Sequence, residues 1–79
     1  LTGQLAAGVA HELANPLSYV LTNLRATEQL AARVTAELPS DSAARPLVDE
    51  LAGATAEALG GVTRMQSFVR DLRVFARPG

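Results

Sequence analysis

From Leu13 onward, apolar or small side chains recur at Leu13, Leu17, Val20, Leu24, Thr27, Ala31, Val34 and Leu38, in steps of four and three that hold one seam on one side of a helix. Leu5 and Val9 carry the seam upstream in steps of four, with a slip between residues 9 and 17. A second run at Leu47, Leu51, Ala54, Ala58, Val62, Met65, Val69, Leu72 and Ala76 repeats the threes and fours. The pattern predicts two long helices over about residues 1–38 and about 43–76, roughly 57 and 51 Å at 1.5 Å per residue. Arms of matched length joined by a short turn at about 39–42 predict an all-α antiparallel hairpin.

The linker chemistry agrees with that division. Pro39 stops the first helix, and Ser42 or Asp41 is the expected N-cap of the second. Pro46 then falls in or near the first turn, and Asp49 and Glu50 follow at the positive end of the helix dipole. Inside the second arm, Gly60-Gly61 is out of place, since each glycine costs about 1 kcal/mol relative to alanine. Around it the seam steps from Leu51 through Ala54, Ala58 and Val62 to Met65, a stutter that relaxes supercoiling. The glycine pair reads either as close packing or as a hinge.

Composition then limits how such a hairpin can fold. Of its 79 residues 48% are hydrophobic, but 15 of these are alanine and only 23 are larger, too few to enclose much of a core. Small domains of this kind add disulfides, a metal or a partner subunit. Cysteine is absent and one histidine cannot build a zinc site, so no metal or cofactor is expected in this segment and a partner subunit remains. One apolar stripe per arm leaves apolar surface uncovered on one side, and two hairpins together cover it. The expectation is a homodimeric four-helix bundle.

Seven basic residues, all arginine, against eight acidic ones leave a formal charge of −1, which gives no footprint for nucleic acid. No stretch approaches the roughly 20 apolar residues that span a bilayer, so no membrane contact by this segment is expected. The chain opens at Leu1 without a signal-peptide layout and reads as a piece of something longer.

His11 is the chemically informative residue. It lies two residues from Val9 and from Leu13, about 160° round the helix from either, and is expected to face solvent. Ala7, Gly8, Ala14 and Asn15 surround it, so a second protein could approach closely. An exposed imidazole is a competent nucleophile and proton carrier near neutral pH. No serine, cysteine or second histidine completes a self-contained hydrolase, so further chemistry must come from another domain. Asn15 at i+4, about 40° round, can hold a water beside the ring. Glu12 is about 100° away and flanks it. Pro16 removes a backbone bond to the Glu12 carbonyl, and a bend or loosened turn is expected there.

The run His11-Glu12-Leu13-Ala14-Asn15-Pro16-Leu17, preceded by Ala6-Ala7-Gly8-Val9-Ala10, resembles the H-box of bacterial sensor histidine kinases. The close of the chain, Val69 to Pro78, is similar to the end of the second helix of their dimerisation and histidine-phosphotransfer domain, and the resemblance covers nearly all residues. It implies that His11 accepts the γ-phosphoryl group of ATP and passes it to an aspartate on a response-regulator receiver domain. It further implies that Glu12 acts as base or orients the ring, and that Asn15 positions a water that hydrolyses the receiver's aspartyl phosphate. Nothing here resembles the boxes that hold ATP and magnesium, so both belong to a separate ATP-binding domain of the full-length kinase, and this segment alone should be inactive.

Below His11 and off the seam, Ser18, Tyr19, Thr22 and Arg25 are the expected receiver-docking positions, with Gln66, Arg70 and Arg73 alongside on the second arm. Arg70, Arg73 and Arg77 also suit the negative end of their helix. The implied partners are a second copy, the kinase's own ATP-binding domain and the receiver, and the implied location is cytoplasmic. Two other functions fit the pattern: a structural hairpin of a signalling stalk with His11 incidental, and a monomeric histidine phosphotransfer protein. The latter needs about four helices in one chain.

Overall fold

The computed structural model describes residues 2–76, without the Ala76 side chain, and contains two α-helices, α1 (Gly3–Glu37) and α2 (Arg45–Ala76). They pack along their length as an antiparallel hairpin, and the described residues include no strand. The molecule measures 60 × 15 × 14 Å. Its radius of gyration is 17.8 Å, against about 12 Å for a compact domain of this length. It is two helices thick, with no third layer to cover them. Among the described residues no helix is long and apolar enough to cross a membrane.

Local chemistry sets the helix ends. Thr2 caps α1, its hydroxyl accepting from the Leu5 amide at 3.2 Å. At the other end Leu38 is extended (φ −82°, ψ 138°), as the residue before a proline must be. The Ser42 amide donates to the Pro39 carbonyl at 3.1 Å, which turns the chain. Ser42 Oγ accepts from the Ala44 amide at 3.2 Å, and its carbonyl accepts from the Arg45 amide at 3.1 Å.

Ser42 therefore closes a tight turn that leads directly into α2, its hydroxyl taking up an amide just ahead of the helix as a capping side chain does. The helix starts at Arg45, two residues later than the pattern predicted, and its first turn contains no acidic side chain. Asp49 and Glu50 fall one turn further in. Arg45, unfavourable at the positive end of a dipole, instead reaches back to the Leu38 carbonyl at 3.5 Å and ties the loop across its mouth.

The apolar seam divides in two. Among the described residues Ala6, Ala10, Leu17, Ala31, Thr55, Val62 and Val69 are buried; Ala10, Leu17, Val62 and Val69 form one cluster, with Leu13, Ala14, Leu21, Leu24 and Leu72 packed against it. Several seam positions predicted for burial are exposed: Leu5, Val9, Val20 and Val34 on α1, Leu47, Leu51, Ala54, Ala58 and Met65 on α2. At 100° per residue the exposed apolar stripe lies about 80° from the buried one on α1 and about 50° from it on α2, in the same rotational sense. Two right-handed helices running antiparallel turn equal offsets of one sense toward the same side. The hairpin thus has one continuous apolar face, which Leu30 and Phe68 extend, the latter 61% exposed.

Candidate functional site

His11 stands on α1 away from both stripes, about 130° from the buried one and about 140° from the exposed one, and its ring is exposed. Helical phase and structure agree here, because a polar side chain outside the apolar arc has nothing to pack against. Asn15 is exposed one turn along on nearly the same line. Glu12 is also exposed, about 100° round toward the edge of the apolar face. The three are neighbours on one turn and a half of helix, with no hydrogen bond fixing any of them to another.

Pro16 is exposed inside α1, which runs without interruption from Gly3 to Glu37, so the loosened turn does not break the helix. It leaves the Glu12 carbonyl without the amide donor that a residue four positions on normally supplies. Pro16 itself lies on the apolar side, so the crowding of its ring falls on the face away from His11.

One turn below His11 a groove of about 360 Å³ opens between the helices on the histidine side. Its floor is Ala14, Leu17 and Val69, and its walls are Ser18, Gln66, Arg70 and Arg73. The structure therefore brings together four of the residues marked for docking from the two arms. The Arg70 guanidinium donates to Ser67 Oγ at 3.2 Å, which holds it along the outer wall of α2. Tyr19, Thr22 and Arg25 are exposed and do not line the groove. Thr22 and Arg25 continue below it on the His11 line, whereas Tyr19 lies about 80° round from His11, beside the apolar face. Arg77 is outside the described residues.

Chemically, the arrangement offers an accessible nucleophile with an amide beside it, above a shallow cleft with an apolar floor and two cations. No cluster of three metal-ligating side chains exists among the described residues. Sequence phase put His11 and Asn15 outside the apolar arc and Leu17 and Val69 of the floor on the seam, but it missed Ala14 as a floor residue. Ala14 sits next to the predicted seam, and a small side chain there carries no periodic signal of its own.

Compared with known proteins, the chain matches no family model, no curated protein and no solved structure.

Proposed function

We propose that this hairpin is the dimerisation and phosphoacceptor module of a sensor histidine kinase. The observation that carries the reading is the position of His11: an exposed imidazole on a continuous helix, on the side opposite the uncovered apolar face. A second copy seated on that face would complete a four-helix bundle and leave both histidines in solvent.

In this scheme a ring nitrogen of His11 attacks the γ-phosphorus of ATP presented by a separate ATP-binding domain, and ADP leaves. Glu12 flanks the ring and serves as base or orienting group. The receiver aspartate then takes the phosphoryl group from the imidazole. Leu17 and Val69 supply a dry floor for the receiver, and Arg70 and Arg73 meet its acidic residues. Asn15 holds a water that hydrolyses the receiver's aspartyl phosphate, regenerating the aspartate and releasing inorganic phosphate. ATP and magnesium are held outside these residues, and the setting is cytoplasmic.

The transfer step gives the test. Hairpin loaded with labelled phosphate by an ATP-binding domain, then freed of nucleotide, is chased with a cognate receiver. Label should leave the hairpin and appear on the receiver in an acid-stable, base-labile form. Retention of the label on the hairpin would contradict the assignment.

A further inference from the structure

Gly60 and Gly61 sit in mid-helix, and the packing of α1 against α2 within the hairpin does not explain them. A methyl group built at Gly60 would meet only the tip of the Arg64 side chain at 3.5 Å, and one at Gly61 the same guanidinium at 3.9 Å. Both are ordinary contacts, so close approach of the two helices does not require glycine at either position.

Two further features weaken the same cross-section. Thr63 Oγ1 donates to the carbonyls of Leu59 at 3.0 Å and Gly60 at 2.9 Å, competing for the acceptors that hold this turn of α2. Leu17 lies level with Gln66 and Val69 across the groove, so equal rise along antiparallel helices puts Leu24 level with the glycine pair. There α1 carries the same device: Thr27 Oγ1 donates to the Asn23 carbonyl at 2.9 Å.

The core also changes character at this level. On the His11 side, leucines and valines form the buried cluster, from Ala10 to Leu24 on α1 and from Val62 to Leu72 on α2. On the turn side, the buried residues among those described are Ala31 and Thr55. Thr55 satisfies its own hydroxyl on the Leu51 carbonyl at 2.8 Å.

We infer that Gly60–Gly61 is a hinge dividing the hairpin into two separately opening bodies, a leucine-packed head that carries His11 and a small-residue stem that carries the turn. Two poor helix formers in sequence, competing hydroxyls on both arms and a break in the core fall at one level. The head can bend or fray against the stem without loss of the turn, whatever chemistry His11 performs.

Amide hydrogen exchange on the full chain tests this. Amides of residues 60–64 should exchange at least about tenfold faster than those of 66–72. Ala56→Gly, at an exposed stem position, should raise exchange across the stem about fivefold and leave 66–72 within about twofold. Ala52→Gly, also exposed, is a second perturbation of the same kind. In a Gly60→Ala/Gly61→Ala background the same stem change should spread into 66–72. Protection at 60–64 equal to that at 66–72, or a stem change felt equally in both bodies of the glycine-containing chain, would overturn the hinge.

Discussion

Leu17 of α1 and Val69 of α2 belong to one buried cluster and together floor the groove below His11. The same cluster therefore helps hold the two arms together and shapes the surface on which a partner would rest. Stability and docking are coupled at this point and can be separated elsewhere.

Truncating either residue should be costly. Leu17→Ala is expected to destabilise the chain by about 2–3 kcal/mol in chemical denaturation. Val69→Ala should cost somewhat less, since two carbon atoms are removed and not three. Thr22→Ala, exposed and outside the groove, should stay within about 0.5 kcal/mol of the parent. Equal effects at all three positions would mean that the cluster does not hold the hairpin together.

The uncovered apolar face predicts self-association. The parent chain should sediment as a dimer whose melting temperature rises with concentration. Leu51→Glu, on the exposed stripe and outside the buried cluster, should weaken association at least about tenfold. A monomer of full helicity at every concentration would remove the four-helix bundle.

Charge reversal in the groove should act on the partner more than on the fold. Arg70→Glu with Arg73→Glu is expected to slow transfer to a receiver about tenfold at low ionic strength, with the difference shrinking as salt is added. Helicity should change little, because both side chains are exposed, and the loss of favourable charge at the C-terminal end of α2 should cost no more than about 2 kcal/mol. A transfer rate indifferent to the reversal would place the docking surface elsewhere.

Asn15→Ala divides the two directions of the chemistry. In the full-length protein it should reduce receiver dephosphorylation by about tenfold or more and autophosphorylation by less than about threefold. Equal losses would show that Asn15 supports His11 generally and does not position the hydrolytic water.

Much of this architecture is legible from residue spacing, and what is not has a specific cause. Pro39 and the matched runs on either side of it define the hairpin, and the phase of His11 against Val9 and Leu13 gives its exposure. The division of the seam is different. An apolar arc this wide has two edges, and periodicity alone does not say which edge meets the same chain and which is left uncovered. In α1 the inner edge is marked by Ala6 and Ala10, whose small side chains let α2 approach, while the larger Leu5 and Val9 remain exposed. In α2 the heptad Val48, Thr55, Val62 and Val69 shares only Val62 and Val69 with the predicted seam, and the threonine hides its first half from a reading based on apolar residues. The regular helix α2 begins at Arg45, just past the expected residue 43, because Ser42 first closes a turn with the same hydroxyl chemistry that caps a helix.

The central claim is that His11 is the phosphoacceptor. The most direct measurement incubates the chain with a purified kinase ATP-binding domain and labelled ATP, then maps the label. The account predicts one phosphoryl group on His11, acid-labile and base-stable, absent from His11→Gln and absent when the ATP-binding domain is omitted. No incorporation, or label that survives His11→Gln, would contradict it and leave the hairpin a structural element.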